Sequence, residues 1–419
     1  PVYLCWDAAL QEQRLDAPVT IPDIDRYAPP SLVQADPAAL AKAARWLVEA
    51  AHPVIVADYL GRNPKTVHAL VRLAESLAIP VIDIGSRASF PNTHPLDLTG
   101  AEDELLPEAD VILALDLVDL EKATSTVDRT TRLPRSRLRS DCRVVSISFT
   151  DFMVRSWAQE WGRLQPVDLA IAADTSLAVP ALADLCERAV SQNQAMRERV
   201  DRWRGVLEKR HRAQRDTWRE QAERARSDRP IALAALAAEL GDVIRDEDWT
   251  LVNRSLRGWT RRLWSWTTTV PYIGAHMGGG VGYGIGHSIG AALALGETRL
   301  CIDIQPDGDL LYTPSALWTA AHHRIPLLIV MYNNRSYYND EEHQLLMAKA
   351  RGRPVENAHI GQAMKDPPVD FAGMAKSFGL QAWGPIEDPA DLRPALERAM
   401  RYVLRERKPA LVDVFTQVR

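Results

Sequence analysis

Two groups of polar residues in the second half of the chain have the types and the spacing of a cation site. An Asp-Gly-Asp sequence at 307–309 follows the apolar run RLCIDIQ (299–305), and an Asn-Asn pair at 333–334 follows a second run, IPLLIVMY (325–332). Carboxylate and amide oxygens suit a hard cation such as Mg²⁺, which completes its octahedron with phosphate and water. The pattern favours a diphosphate held through Mg²⁺, and an ordinary turn capped by aspartate is the alternative.

The elements that must position these residues are predicted from the sequence around them. We expect two buried strands, with Thr313 and Pro314 as the N-cap and first turn of the helix SALWTAAHH between them. A parallel β-α-β crossover brings both strand ends to the same edge of the sheet. The helix N-terminus at this edge would offer free backbone donors to an anion. Asp307 and Asn334 are therefore predicted to be neighbours.

A glycine-rich segment lies upstream of these strands. The sequence GAHMGGGVGYGIGHSIGAALALG (274–296) begins with closely spaced glycines and continues as an alanine-rich helix. Glycine at this density lets a backbone approach a ligand or a neighbouring helix closely. Glycine-rich turns are common, so this segment contributes to a functional hypothesis only together with the polar groups.

Helix and strand patterns alternate through most of the chain, as they do in parallel α/β sheets. We predict an α/β fold with two doubly wound parallel-sheet domains, at 25–195 and 230–419, joined by a charged helical linker at 196–229. The linker carries twelve Arg or Lys against seven acids, which raises the alternative of nucleic-acid binding. Its apolar residues recur at helical spacing among charges of both signs, and this pattern favours a solvated helix packed along one side.

Composition excludes several classes of protein. The chain has 419 residues, 46% of them hydrophobic and 25% charged, and no apolar run approaches the roughly 18 to 20 residues of a membrane span. A net charge of -5 gives no general attraction to nucleic acid or anionic lipid. The four cysteines are widely separated, without a Cys-x-x-Cys pair, which predicts reduced thiols in the cytoplasm.

The first domain has polar residues at its predicted strand ends, where doubly wound folds often bind nucleotides. These residues are Asp58, Gly61, Asp116 and Asp174. No G-x-G-x-x-G sequence follows the first strand, so a structural domain is favoured over a dinucleotide site, and an oxidoreductase built on this domain is a weaker hypothesis.

The motifs, in this order, resemble those of the thiamine-diphosphate-dependent enzymes of the acetolactate synthase, benzoylformate decarboxylase and pyruvate decarboxylase group. The family motif is G-D-G followed by N-N, and Pro306 replaces its first glycine here. The resemblance implies a Rossmann-like middle domain at 25–195 and a diphosphate-binding domain at 230–419. Residues 1–24 would be the exit from an N-terminal pyrimidine-binding domain that is missing from this sequence.

The resemblance also implies roles for individual residues around a cofactor and its metal. Asp307, the side chain of Asn334 and the carbonyl of Ser336 would bind Mg²⁺. The residues expected to contact the cofactor, in addition to Asn334 and Ser336, are Ser255, Gly279, Gly280, Val281, Gly308 and Asp309. Among these, Val281 would hold the cofactor in its bent shape, and the Gly279 carbonyl would accept a hydrogen bond from the 4′-amino group.

Further residues are implied for the reacting end of the site. His276 could donate a proton above the thiazolium ring, or could be purely structural. Tyr337, Tyr338 and Asp340 follow the metal loop and could line a substrate pocket. The adjacent His322 and His323 are interpreted as packing and capping residues at the end of a helix.

The resemblance implies cleavage or formation of a carbon–carbon bond next to a carbonyl, most often that of a 2-oxo acid. Decarboxylase, synthase and lyase activities are not separated by the sequence. The alternative is a non-catalytic homologue or regulatory subunit that keeps the fold and binds a partner. The family also implies a homodimer or homotetramer, in which a glutamate of the missing pyrimidine-binding domain contacts the cofactor.

Overall fold

Two five-stranded parallel sheets, each flanked by helices, form the core of the protein. The computed structural model describes residues 4–131, 133–149, 165–267, 272–274 and 279–418. The strand order is 81–83, 53–57, 111–115, 143–147 and 169–171 in the first sheet, and 381–386, 410–415, 327–333, 300–306 and 249–251 in the second. The predicted α/β fold with two parallel sheets is confirmed.

The first sheet lies within residues 53–171. Its strands are β1 (Pro53–Ala57), β2 (Val81–Asp83), β3 (Val111–Leu115), β6 (Arg143–Ile147) and β7 (Leu169–Ile171). A separate antiparallel pair is formed by β4 (Ser125–Val127) and β5 (Pro134–Ser136). The helices are α1 (Ala8–Glu12), α2 (Pro37–Glu49), α3 (Pro64–Leu77), α4 (Glu102–Leu105), α5 (Leu120–Thr124) and α6 (Thr175–Ser191). Short 3-10 helices occupy Ile24–Tyr27 and Tyr59–Arg62.

Local sequence explains where the helices of this half begin. The Asp36 side chain accepts from the Ala38 amide at 2.6 Å, and Pro37 occupies the first turn of α2. Asn63 caps α3 in the same way, followed by Pro64. A side-chain acceptor before a proline satisfies a free amide and fixes φ for the first turn. Residues 4–34 precede these helices and are exposed throughout.

The second sheet lies within residues 249–415. Its strands are β8 (Trp249–Leu251), β9 (Leu300–Pro306), β10 (Leu327–Asn333), β11 (Gln381–Ile386) and β12 (Ala410–Phe415). The helices from the linker onward are α7 (Gln194–Arg224), α8 (Leu233–Val243), α9 (Trp259–Leu263), α10 (Tyr283–Leu295), α11 (Asp307–Tyr312), α12 (Ala316–His322), α13 (Tyr338–Ala350), α14 (Phe371–Ser377) and α15 (Pro389–Glu406). A 3-10 helix spans Leu256–Gly258.

The charged segment between the sheets is the helix α7, as its apolar spacing predicted. Val200 and Leu207 are buried along one side of the helix, together with Arg215. In the described part of the chain, no helix has the length and apolar character needed to cross a bilayer.

A buried ion-pair cluster joins the two halves of the molecule. Arg261, in α9, contacts Asp83 at 3.0 Å and Asp97 at 3.1 Å, and all three side chains are largely buried. Nearby, Asn92 donates to the Trp264 carbonyl at 2.9 Å and accepts from the Trp266 amide at 2.8 Å. Residues 261–266 are therefore anchored to the end of β2 and to the loop that follows it.

The polar residues at the strand ends of the first sheet make contacts within that half. Asp58 accepts from the Ser86 amide at 3.0 Å, and a side chain at Gly61 would overlap the backbone of Ala88. Asp116 accepts from the Thr175 hydroxyl at 2.6 Å and pairs with Arg62 at 3.2 Å. Asp174 caps α6. These contacts give each of these residues a structural role.

Burial of Asp58 predicts a pH-dependent stability. Burial raises the pKa of Asp58 from 3.8 to about 6, although its hydrogen bond from Ser86 opposes the shift. The unfolded chain therefore ionises first, and the charge destabilises the folded state progressively from about pH 4 to pH 6. We expect Asp58→Asn to match the wild type at pH 4 and to exceed its free energy of unfolding by about 2 to 3 kcal/mol at pH 8.

Chemical denaturation at several pH values would test this expectation. Asp128→Asn is the control with the opposite sign, because hydrogen bonds from Thr131 and Thr130 lower the pKa of exposed Asp128. Relative to the wild type, that variant should be less stable at and above about pH 4, and the difference should shrink as the pH falls below 4. A gain by Asp58→Asn that is equal at pH 4 and pH 8 would contradict the assigned role of burial.

Candidate cofactor site

The two polar groups found in the sequence meet at one edge of the second sheet. Strands β9 and β10 are parallel neighbours, with Pro306 in register with Tyr332. Asp307 follows directly from β9, and Asn334 follows directly from β10. The predicted proximity of the two strand ends is therefore found in the structure.

The carboxyl group of Asp307 is buried and only partly satisfied. The residue is 2% exposed, and its Oδ1 accepts from the Gly308 amide at 2.9 Å. Its Oδ2 is buried and has no hydrogen-bond partner among the described residues. Burial raises the pKa of Asp307 to about 6, and the backbone amides of Gly308, Arg335 and Ser336 oppose that shift. A buried carboxylate oxygen without a partner fits a bound cation.

The loop after β10 presents further oxygen atoms beside Asp307. Asn334 Oδ1 accepts from the Ser336 amide at 2.9 Å, and this contact folds the loop back on itself. Ser336 is buried and its backbone pairs with Ala363, while its hydroxyl donates to Glu341 at 2.5 Å. Arg335, between them, has a left-handed φ of 56°.

The donor set is mixed rather than rich in carboxylates. Among the described residues, no three His, Cys, Asp or Glu side chains group as a metal site. One carboxylate, one amide and one carbonyl are the sparse protein contribution typical of Mg²⁺ bound mainly through phosphate and water. These residues therefore fit a bound Mg²⁺ ion, and the ion itself stays a prediction.

The Asp-Gly-Asp sequence does not form the turn expected before a single helix. It opens a short helix of its own, α11, with Pro306 at the N-cap position. The predicted cap at Thr313 is wrong, because Ser315 precedes α12 and the Thr313 hydroxyl instead donates to the Gly282 carbonyl at 2.6 Å. Proline needs no amide partner, so the strand can pass into a helix immediately after it.

Gly308 is covered by an aromatic side chain. A Cβ atom at Gly308 would overlap the ring of Tyr337, and the Tyr337 hydroxyl donates to the Gly308 carbonyl at 3.2 Å. Tyr337 therefore lies at the candidate metal site. Tyr338 and Asp340 lie in the first turn of α13, and their role in a substrate pocket stays a prediction.

Asp309 is directed at the glycine-rich segment. Its Oδ1 accepts from the Gly282 amide at 2.8 Å, and its Oδ2 accepts from Gln305 at 3.0 Å. The Arg254 guanidinium is 3.9 Å from Oδ1. The carboxylate thus holds the segment in place, and the expected contact of Asp309 with a diphosphate stays a prediction.

The glycine-rich segment places its predicted residues at the start of α10. Gly279 lies against the Tyr283 ring, and the space beside Gly280 is open. Val281 is 57% exposed, and Gly282 precedes the helix with φ of 97°. The predicted proton donor His276 lies outside the described residues.

Ser255 lies in the loop after β8, as expected from the sequence. Its hydroxyl accepts from the Gly258 amide at 3.2 Å and caps the following 3-10 helix. A contact between Ser255 and a phosphate stays a prediction.

Three buried polar residues near the site were missed by the sequence analysis. They are Asn253, Asp303 and Gln305, each 0% exposed. Burial raises the pKa of Asp303 to about 7, although a hydrogen bond from Asn253 opposes the shift. For Asp303 and Gln305 the available signal was their position within the run LCIDIQ (300–305), whose other residues are apolar, because a buried strand seldom contains polar residues without partners.

Comparison with known families and proteins identifies both halves of the chain. The family profile described as "Thiamine pyrophosphate enzyme, central domain" matches residues 40–182. The profile described as "Thiamine pyrophosphate enzyme, C-terminal TPP binding domain" matches residues 255–414. The second match includes the Asp307 and Asn334 loops and the glycine-rich segment.

Curated relatives match over different lengths. The chain is 32% identical over 119 residues to benzoylformate decarboxylase of Pseudomonas aeruginosa, covering 28% of this chain and 20% of that protein. It is 22% identical over 435 aligned positions to a probable acetolactate synthase large subunit of Methanocaldococcus jannaschii, covering 99% of this chain and 66% of that protein. The chain thus spans less than two thirds of the length of either relative.

A solved structure shares the fold. The thiamine diphosphate-dependent 4-hydroxybenzoylformate decarboxylase of Rhodococcus jostii RHA1 superposes with a TM-score of 0.66 at 18% identity, covering 95% of this chain and 68% of that one. The two profile matches and the pair of parallel sheets show that the chain belongs to the thiamine pyrophosphate enzyme family.

Proposed function

We propose that the chain binds thiamine diphosphate through Mg²⁺ and serves in the cleavage or formation of a carbon–carbon bond next to the carbonyl of a 2-oxo acid. The observation that carries the proposal is the buried, partnerless Oδ2 of Asp307, which lies beside the Asn334 loop within the matched cofactor-binding domain. Thiamine diphosphate supplies an electron sink for the bond that breaks.

In this proposal the chain anchors the charged end of the cofactor. Asp307, the Asn334 side chain and the Ser336 carbonyl hold Mg²⁺. Gly308 and Ser255 lie along the diphosphate in this proposal, and the absence of a side chain at Gly308 lets the Tyr337 ring pack over the loop. The half-exposed guanidinium of Arg254, near Asp309, offsets part of the negative charge that two carboxylates and a diphosphate bring together.

The other end of the cofactor is assigned to the glycine-rich segment. The exposed side chain of Val281 supports the bent cofactor, and the backbone of Gly279 and Gly280 lies along it. His276 is proposed as the proton donor above the thiazolium ring, and Tyr337, Tyr338 and Asp340 are proposed to line the substrate pocket. The names of the relatives favour a 2-oxo acid of the benzoylformate or pyruvate type, handled by a decarboxylase or an acetolactate synthase-like enzyme.

A pyrimidine-binding domain, on the same polypeptide or another, is proposed to complete the site. The segment at Gly280 opens onto exposed apolar side chains, with Val281 57% and Tyr312 63% exposed. Apolar surface of this kind is typical of a covered interface. The assembly is proposed to be a homodimer or homotetramer. The four free thiols of each chain support a cytoplasmic location.

Titration calorimetry on the 419-residue chain tests the cofactor assignment. We expect weak binding of thiamine diphosphate that requires Mg²⁺, and no binding of thiamine, which lacks the diphosphate. Equal heats for both ligands, or binding unaffected by a chelator, would contradict the proposal.

Activity tests the reaction and the additional domain separately. With Mg²⁺, thiamine diphosphate and a panel of 2-oxo acids, we expect carbon dioxide or acyloin only after a pyrimidine-binding domain from the same source is supplied. Robust turnover by residues 1–419 alone would refute the need for that domain. Cofactor binding without turnover in the completed assembly would instead favour a non-catalytic homologue.

A further inference from the structure

Four buried polar side chains form a continuous hydrogen-bonded chain beneath the glycine-rich segment. Asn253 Nδ2 donates to Asp303 Oδ1 at 2.8 Å and to Gln305 Oε1 at 3.2 Å. Gln305 Nε2 donates to Asp309 Oδ2 at 3.0 Å, and Asp309 Oδ1 accepts from the Gly282 amide at 2.8 Å. We call these four side chains the polar relay. None of them is more than 4% exposed.

The direction of each hydrogen bond in the polar relay is set by its two ends. Carboxylate oxygens are acceptors, and Asp303 Oδ1 and Asp309 Oδ2 accept here from the side-chain amides of Asn253 and Gln305. The amides of Asn253 and Gln305 supply those donors only in the orientation found. A reversed Gln305 amide would place two acceptors against each other at Asp309 and two donors against each other at Asn253. Gln305 is therefore the residue that links the two ends.

The polar relay ends on the backbone that carries Val281. The Gly282 amide is held by Asp309, and the Gly282 carbonyl is held by the Thr313 hydroxyl at 2.6 Å. A side chain at Gly284 would overlap Asp309 and Asn253, so the first turn of α10 packs directly on the relay. Val281 itself is 57% exposed, so packing of its own side chain does not fix its position.

We infer that Gln305 is a positioning residue. Its hydrogen bond orients the Asp309 carboxylate, which accepts from the Gly282 amide and so fixes the backbone position of Val281. This inference deepens the proposed function and rests on it only for the cofactor. Without Gln305, Asp309 would keep one of its two hydrogen bonds, and the nearby Arg254 would compete for its carboxylate. The segment would then loosen while the metal site at Asp307 stays intact.

Hydrogen exchange of the cofactor-free chain tests the positioning directly. Gln305→Met removes the amide at similar volume, and we expect the peptide that contains Gly282 to exchange at least about fivefold faster, with α15 unchanged. Ile304→Val is the matched control, because its side chain lies on the opposite face of β9. Equal exchange in Gln305→Met and Ile304→Val would overturn the inference.

The variant Gln305→Glu distinguishes the effect of the lost hydrogen bond from the effect of side-chain volume. Glutamate has the shape of glutamine, but it places an acceptor against Asp309. We expect the segment to loosen at least as much as in Gln305→Met. A role in packing alone predicts that the Glu variant behaves as the wild type, and that result would also overturn the inference. Circular dichroism and thermal melts would confirm that both variants are folded.

The completed enzyme gives the functional measurement. In Gln305→Met we expect kcat to fall about tenfold or more, because the reacting groups lose their alignment, while Mg²⁺-dependent affinity for thiamine diphosphate changes by less than about threefold. An equal loss of kcat and of affinity for thiamine diphosphate would overturn the inference. If wild-type protein fails to bind the cofactor but the exchange result holds, the proposed function fails and the positioning of the segment stands.

Discussion

Asp307→Ala is expected to abolish Mg²⁺-dependent binding of thiamine diphosphate without unfolding the chain. The substitution removes the charged ligand of the proposed metal, and breaking a buried charge pair costs roughly 3 kcal/mol or more, which is about a hundredfold in affinity. Burial raises the pKa of this carboxyl to about 6, so its removal relieves an unfavourable buried charge in the cofactor-free protein. The measurement is titration calorimetry with thiamine diphosphate and Mg²⁺.

Two further variants define the comparison for Asp307. Asp307→Asn keeps the shape and one neutral oxygen, so its affinity should fall less than that of Asp307→Ala. Glu356→Gln changes an exposed carboxylate elsewhere and should bind as the wild type does. Unchanged cofactor affinity in a folded Asp307→Ala protein would remove Asp307 from the metal site.

Arg261→Met is expected to cause the largest loss of stability. Arg261 lies between Asp83 and Asp97, and the substitution removes the positive charge that both buried carboxylates contact. Removing one partner of a buried ion pair costs about 3 to 5 kcal/mol. Burial already raises the pKa of Asp83 to about 6, against the opposing charge of Arg261. Without Arg261 this pKa rises further, so the loss should be greatest at pH 8 and smaller at pH 5.

Denaturant titrations at the two pH values would measure this loss. The compensating variant Arg261→Met/Asp83→Asn/Asp97→Asn removes all three charges and should recover most of the stability, because the cost lies in unpaired charge rather than in lost volume. If the triple variant is as unstable as the single one, the larger effects are packing of the Arg261 side chain and the backbone hydrogen bonds that Asp83 accepts from Gly85 and Ser89.

The sequence predicted those parts of the structure that depend on local pattern. Apolar runs located β9 and β10, and the rule that a crossover aligns strand ends placed Asp307 beside the Asn334 loop. Helical spacing within a highly charged stretch was sufficient to predict α7. Each of these predictions required only neighbouring residues and a general rule of chain topology.

What the sequence did not predict depends on contacts between distant residues. The amide of Gln305 finds its acceptor in a helix and its donor in the loop after β8, so an isolated strand pattern does not show that it is satisfied. Arg261 lies 178 positions from Asp83 in the sequence, and no local signal pairs them. The helix α11 was missed because Asp-Gly-Asp is typical of turns, whereas here the preceding proline ends the strand.

The cluster around Arg261 has a consequence for dissection of the protein. Separation of the two halves would remove Asn92, whose side chain accepts from the Trp266 amide at 2.8 Å and donates to the Trp264 carbonyl at 2.9 Å. The loop with Ser255 leads directly into α9, so disorder there would spread towards the cofactor-binding region. The fold of residues 261–266 therefore depends on contacts with the middle domain, and the two halves should unfold as one cooperative unit.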